Sequence, residues 1–101
     1  MRMMMIVSFP VETFNAAVKD GSTQAKIKKI MDQVKPEAAY FTALNGKRTA
    51  VLIVDLADPS KIPGLAEPWF LTFNASVDLY PVMLPQDLAA GGLDGLGKQW
   101  G

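Results

Sequence analysis

The chain has 101 residues, of which 50% are hydrophobic, and ten Lys and Arg residues balance ten Asp and Glu residues. This length allows one domain with one core, and the balanced charge provides no overall field that would attract nucleic acid or anionic lipid. The chain contains no cysteine and no histidine, which excludes disulfides, thiolate nucleophiles and the commonest metal ligand and general base. We therefore expect no cofactor, no metal and no nucleic-acid partner.

The first segment, residues 2–9, is a short run of mostly apolar residues that ends at Pro10. A continuous apolar run of this length is typical of a buried strand. It lacks the sustained hydrophobic region and the cleavage site of a signal peptide, and no segment approaches the roughly 18 apolar residues of a membrane span. We predict a first β-strand, and a cytoplasmic protein without a membrane partner.

Residues 11–35 have apolar side chains at spacings of three and four, which predicts helical structure. One kinked helix and two separate helices both fit this pattern. Gly21 suits the position after a helix and Ser22 suits a helix start, so we favour two helices joined at residues 20–22. The lysines of this segment lie opposite its apolar positions and are typical of a solvated face.

The next two segments, residues 38–44 and 49–56, are strand-like and are joined through Asn45-Gly46. Asn-Gly between two strands is the strongest short-range signal for a hairpin. Lys47 and Arg48 extend the turn or begin the second strand. This region therefore predicts a β-hairpin.

After the hairpin, Asp58 and Pro59 are typical of a helix start, but Pro63, Gly64 and Pro68 argue against one long helix. We predict a short helical turn at 61–66, followed by a second helical piece that begins at Pro68 and ends at Asn74. Residues 77–84 predict a last strand, and its prolines favour an edge position. We expect a domain over 1–88 and a glycine-rich tail over 89–101, with a short helix near 87–90 and a loose end.

The order of these elements is β-α-β-β-α-β, which predicts an α+β fold: a ferredoxin-like plait with a four-stranded antiparallel sheet and helices on one face. Alternating positions assign one side chain set to the uncovered face of this sheet. Its members are Tyr40, Thr42, Val51, Ile53, Asp55, Asp78, Tyr80 and Val82. Such an apolar face normally marks an interface or a ligand site, and two copies that pack these faces form a closed homodimer.

The element order, the stretch Ala-Glu-Pro-Trp-Phe-Leu-Thr-Phe-Asn at 66–74 and the strand end Pro81-Val82-Met83 resemble the dimeric α+β barrel superfamily. Within it, residues 1 to about 88 are similar to a group of small bacterial proteins of unassigned function. The resemblance implies a homodimer whose paired sheets enclose a cavity in each protomer. Members include cofactor-independent monooxygenases, isomerases, dehalogenases and haem-degrading enzymes. The haem-degrading members use a histidine ligand, which this chain lacks.

The candidate catalytic residues are Asp55, Asp78 and Tyr80. Asp55 lies late in an apolar strand, where desolvation would make it a general base, unless it is solvated at the strand end. Asp78 and Tyr80 share a face, where they could orient a phenolic or enolisable substrate and move a proton. Hydrogen bonding between protomers is the alternative role for these two residues.

The candidate substrate-binding residues are Tyr40, Thr42, Trp69, Phe73 and Asn74. Tyr40 and Thr42 belong to the uncovered face, whereas the aromatic residues of 69–73 either wall a pocket with Asn74 or belong to the core. Our leading hypothesis is a homodimer that binds a small apolar or aromatic metabolite in a cavity between sheet and helices. A cofactor-independent, monooxygenase- or isomerase-like enzyme and a purely structural dimer are the alternatives.

Overall fold

A computed structural model describes residues 1–101. Its elements are β1 (Arg2–Ser8), α1 (Val11–Asp20), α2 (Thr23–Val34), β2 (Ala38–Leu44), β3 (Lys47–Asp55), α3 (Ile62–Phe73), β4 (Ser76–Pro81), α4 (Pro85–Ala90) and α5 (Leu93–Trp100). A 3-10 turn at Pro59–Lys61 precedes α3. The order confirms the predicted α+β ferredoxin-like fold.

The four strands form one antiparallel sheet in the order β2-β3-β1-β4. Alternate side chains of β1 and β3 are buried under the helices, and their neighbours point to the other face. The strand β4 lies at one edge, as its prolines predicted, and Pro81 is its last residue. The helices therefore cover one face of the sheet and leave the other face open.

An aromatic cluster fills the space between the sheet and the helices. The ring of Phe9 lies 4.9 Å from that of Phe14, 5.8 Å from that of Trp69 and 5.2 Å from that of Phe73, in each case edge to face. Phe9, Trp69 and Phe73 are at most 1% exposed. The indole Nε1 of Trp69 is buried without a hydrogen-bond partner. The middle of the helix-covered layer is thus a filled core.

The junction between α1 and α2 follows the prediction of two helices. Gly21 has a φ of 78°, and its N–H donates to the last carbonyls of α1. The carboxylate of Asp20 accepts a hydrogen bond from the backbone N–H of Ser22 at 2.8 Å. Hydrogen bonds from Ser22 hold the pKa of Asp20 below its ordinary value. Ser22 occupies the start of α2, but its own hydroxyl makes no capping bond.

The prediction of two short helical pieces over 61–74 was wrong, because α3 is one continuous helix with Pro68 inside it. Pro68 has no N–H to donate to the carbonyl of Gly64. That carbonyl instead accepts a hydrogen bond from Nε2 of Gln33 in α2, at 3.4 Å. Packing of α3 on the sheet buries Trp69 and Phe73, which offsets the interrupted hydrogen bonding. The predicted helix end at Asn74, which has a φ of 54°, is confirmed.

The predicted hairpin between β2 and β3 is also confirmed. Asn45 and Gly46 have positive φ values of 54° and 75°, as a two-residue type I′ turn requires. The turn is tight enough for Leu44 to pair with Lys47. Lys47 and Arg48 therefore begin the second strand, which is one of the two roles that the sequence left open for them.

A pair of matched glycine substitutions tests this turn. Gly46→Ala is expected to lower the free energy of unfolding by about 1–2 kcal/mol, because alanine is strained at a left-handed conformation. Gly64→Ala in α3 has open space around its new Cβ and is expected to raise stability by up to about 1 kcal/mol through helix propensity. Urea unfolding of both variants measures whether each substitution lowers or raises the free energy of unfolding. Equal effects would contradict the assigned turn.

The chain beyond β4 is helical, which corrects the expected loose end after residue 90. Gly91 and Gly92 separate α4 from α5, and Gly92 has a φ of 75°. Every residue from 83 to 101 is exposed. The molecule measures 59 × 28 × 19 Å, with a radius of gyration of 17.0 Å, whereas a compact chain of this length has about 13 Å. The C-terminal helices therefore project from the domain.

None of the helices combines the length and the apolar character that crossing a membrane requires.

Candidate functional site

The open face of the sheet is the candidate functional site, and the strand register aligns its side chains in rows. Across β2, β3, β1 and β4 the rows are Ala38-Ile53-Met4-Tyr80, Tyr40-Val51-Ile6-Asp78 and Thr42-Thr49-Ser8-Ser76. The two central strands supply the apolar middle of the first two rows. The third row consists of hydroxyl side chains. The open face is thus apolar at its centre and polar toward the hairpin end.

No helix of the chain covers this face. Tyr40 is 64% exposed and Tyr80 is 48% exposed, at opposite edges of the sheet. Met4, Ile6, Val51 and Ile53 are only partly buried between them. A contiguous apolar surface with a polar border is typical of an interface or of a ligand site.

A shallow groove of about 320 Å³ lies on the open face, toward the hairpin. Its lining residues are Ile6, Ser8, Leu44, Asn45, Lys47, Thr49, Asp78 and Tyr80. The groove combines the apolar side chains of Ile6 and Leu44 with two hydroxyls, one amide, one ammonium, one carboxylate and one phenol. Such a set can hold a small apolar or aromatic molecule by its body and orient it by one polar group. Asp78 and Tyr80 could also accept and donate a proton there.

A second, polar pocket of about 390 Å³ lies at the opposite end of the sheet and is lined by Arg2, Lys35, Glu37 and Asp55. The guanidinium of Arg2 donates to both carboxylate oxygens of Glu37. This pairing lowers the pKa of Glu37 and raises that of Arg2. The carboxylate of Asp55 is 79% exposed and lies 3.0 Å from the amino group of Met1. Asp55 is therefore solvated and paired with a cation.

The ion pair of Arg2 and Glu37 predicts an acid-dependent loss of stability. Because the pKa of Glu37 is lower in the folded chain, its contribution is present above the ordinary glutamate pKa and is lost as the pH falls through the folded value. Glu37→Gln is expected to weaken the pH dependence of the free energy of unfolding below about pH 4.5. Near neutrality the pH dependence is expected to stay the same as in the native chain. Urea unfolding across this range measures it, with the exposed Glu67→Gln as control. An unchanged profile would contradict the pairing.

The structure brings some of the sequence-predicted site residues together and separates others. Asp78 and Tyr80 share the groove, and Tyr40 and Thr42 lie on the same face at the β2 edge. Asp55 lies at the far, polar end of that face. The remaining three candidates lie away from the open face: Trp69 and Phe73 in the core, and Asn74 at the exposed end of α3. The aromatic pair therefore lines no groove in the single chain.

Sequence reasoning missed the residues that the hairpin contributes to the groove. Leu44, Asn45 and Lys47 line it because the two-residue turn folds Lys47 back opposite Leu44. The Asn-Gly turn contained this information, since a type I′ turn fixes the register of both strands. No group of three His, Cys, Asp or Glu side chains lies close enough together to hold a metal ion.

The fold and the open face together define the class of this protein as a small α+β ferredoxin-like domain with one uncovered sheet face. A scan against protein-family models finds no match, and a search of curated proteins finds none.

Proposed function

We propose that the protein is a homodimer of the dimeric α+β barrel type that encloses a small apolar or aromatic ligand between two sheets. The observation that supports this most is the uncovered apolar centre of the sheet, formed by Met4, Ile6, Val51 and Ile53. Removing such surface from water is worth roughly 25 cal/mol per Å². A second copy presents the same surface, so packing open face to open face gives a closed isologous dimer.

The ligand part of the proposal is supported by the uneven polarity of the open face. Its apolar rows suit direct contact between two sheets, whereas its hydroxyl row and the groove beside it suit a ligand. Lys47, Asp78 and Tyr80 are grouped in this groove. We therefore expect the ligand to combine an apolar body with one polar group, and we place it on the open face. The filled core leaves no comparable space in the middle of the helix-covered layer.

Native mass spectrometry of the full chain, purified gently, tests this proposal. A dimer that carries a reproducible excess mass is expected, and Lys47→Ala is expected to lose the excess mass while it remains a dimer. A monomer at all concentrations would contradict the proposal. A dimer that neither retains a ligand nor binds an anionic aromatic dye such as ANS would leave only the structural role.

A cofactor-independent enzyme of the monooxygenase or isomerase type is the second candidate, favoured by Asp78 and Tyr80 lining one groove. Both side chains are exposed in the single chain, but a covering second copy would exclude water from the groove that they share. Asp55, solvated at the rim, lacks such an environment. Asp78→Asn is expected to abolish turnover of a retained ligand while the ligand stays bound. Turnover by this variant would contradict the assignment.

A further inference from the structure

The segment that projects from the domain, called here the C-terminal arm, consists of residues 84–100. It carries large apolar side chains at helical spacing, all of them exposed: Leu84, Leu88, Leu93, Leu96 and Trp100. Within α5, the three positions at 93, 96 and 100 fall on one side of the helix, and Lys98 falls on the other. Trp100 is 79% exposed. The arm therefore has an apolar side that its own domain does not cover.

The helices of the arm are too short to be stable without packing. The helix α4 has six residues and α5 has eight, whereas isolated helices shorter than about 12–15 residues are marginal in water. Gly95 and Gly97 lie inside α5, and each costs about 1 kcal/mol relative to alanine. The helical arm thus requires a surface to pack on.

A groove that can receive the arm lies at the opposite edge of the sheet. A groove of about 400 Å³ opens between α2 and β2 and is lined by Thr23, Gln24, Ile27, Lys28 and Phe41. We call it the α2–β2 groove. Phe41 points to the helix-covered side of β2, yet it is 54% exposed. Because β2 is the edge strand farthest from β4, this groove and the start of the arm lie at opposite edges of the sheet.

Charge contributes little to the match between the two surfaces. Lys28 is the one charged residue that lines the groove, and its ammonium pairs with Asp32 at 2.8 Å. The helix α5 carries Asp94 and Lys98, whose charges cancel. Contact between apolar side chains is therefore what favours docking of the arm.

Two-fold symmetry can bring the arm of one copy to the groove of the other. When two sheets pack face to face about an axis parallel to their strands, the strand order of one copy is reversed over the other. The strand β4 of each copy then lies over β2 of its partner. The arm that leaves β4 therefore begins at the partner's β2 edge, and it reaches the α2–β2 groove on the helix-covered side by passing around that edge.

The sheet face alone also provides a small interface. Strands about 4.8 Å apart, with a rise of about 3.3 Å per residue, give four seven-residue strands a plan area of roughly 450 Å². Stable interfaces remove about 800 Å² of surface from each partner. Two exchanged arms, each with its apolar side chains, add to that area on both copies.

We propose that the C-terminal arm of each copy docks into the α2–β2 groove of a second copy of this chain. This inference rests on the proposed dimer, which supplies the second copy. Docking covers the apolar side of the arm together with Ile27 and Phe41. Docking also covers the exposed backbone edge of β2, and the arms add contacts that hold the two copies together.

The two tryptophans of the native chain allow a direct test, because Trp69 is fully buried and Trp100 is exposed. Acrylamide quenching is measured as a function of protein concentration, beside sedimentation. We expect the quenchable fraction of the fluorescence to fall as the dimer forms. Trp100→Phe is expected to abolish this concentration dependence, since it leaves only Trp69. Leu96→Asp is expected to raise the dimer dissociation constant by about 10- to 100-fold, whereas Lys98→Gln, with the same change in charge, is expected to leave it nearly unchanged.

Cross-linking tests whether the arm binds at the α2–β2 groove. The chain has no cysteine, so a mixture of Gln24→Cys and Gln99→Cys chains is expected to form the mixed dimer when treated with a short bis-maleimide. Absence of that cross-link in a sedimenting dimer would overturn docking at this groove.

The outcomes separate the arm from the sheet-face dimer. A dimer in which Trp100 stays quenchable overturns the arm docking and leaves the proposed function standing. Protection of Trp100 in a monomer overturns it as well, because the arm would then fold on its own domain. A monomer with a quenchable Trp100 at every concentration overturns both proposals. Arm-dependent dimers that persist after the sheet face is disrupted support the arm and contradict the sheet packing.

Discussion

Phe9→Ala is expected to lower the free energy of unfolding by about 3–5 kcal/mol, the range for removing a large aromatic side chain from a core. Phe9 is 1% exposed and makes edge-to-face contacts with three other aromatic rings, on α1 and α3. Such contacts are worth about 0.5–1.5 kcal/mol each beyond the burial of their area. Since domains of this size are stable by only about 5–15 kcal/mol, the variant is expected to be partly unfolded at 37 °C.

The matched control is Phe70→Ala in α3. Phe70 is 38% exposed, and alanine favours helix formation, so its effect is expected to stay within about 1 kcal/mol. Urea unfolding followed by circular dichroism compares the two variants, and thermal unfolding serves if the first is too unstable. Similar losses for both variants would contradict the central position of Phe9 in the core.

Ile53→Lys on the open face is expected to raise the dimer dissociation constant by roughly 100- to 1000-fold, about 3–4 kcal/mol. Ile53 lies on a central strand, paired with Met4 on one side and Ala38 on the other. In an isologous dimer each copy would bury an unpaired ammonium, and the two ammonium groups would repel each other. The folding of each chain is expected to change little, because position 53 is only partly buried in the single chain.

Ile62→Lys provides the matched control, since the same substitution is made at an exposed position of α3 on the helix layer. Sedimentation over a range of protein concentrations measures both dissociation constants, and circular dichroism verifies that both chains are folded. A dimer of unchanged affinity in Ile53→Lys would show that the open face is not the interface.

Much of the fold could be predicted from the sequence because its signals are local. The alternation of apolar residues predicted β3, Asn45-Gly46 predicted the hairpin, and Gly21 predicted the break between α1 and α2. Each of these depends on the conformational preference of a few neighbouring residues. Once the elements were placed in order, the ferredoxin-like topology followed from their connections.

The helix α3 could not be predicted correctly by the same rules. Local propensity counts Pro68 as a helix break, but in the structure Gln33 of α2 donates a hydrogen bond to the freed carbonyl of Gly64. The burial of Trp69 and Phe73 against the sheet favours continuation of the helix. These contributions come from residues distant in sequence, so no local pattern contains them.

The candidate site was predictable in part. The parity of the strands placed Tyr40, Asp78 and Tyr80 on one face, because strand side chains alternate strictly. Alternation does not show how deeply a side chain is buried, however. It could not distinguish Asp55 at a solvated rim from a carboxylate in a cavity. Nor could it assign Trp69 and Phe73 to the core rather than to a pocket, since an amphipathic helix has the same spacing in both cases.

The sequence by itself determined the fold class, the edge position of β4 and the apolar character of the open face, because these follow from local conformation and from alternation along each strand. Only the tertiary structure decided that α3 is continuous, that the groove lies beside the hairpin and that the C-terminal arm projects without a partner. These features depend on which surfaces meet across the sheet and on which surfaces meet nothing. Contact between distant segments is a property of the packed chain, and the free energy of that packing outweighs local propensity where the two conflict.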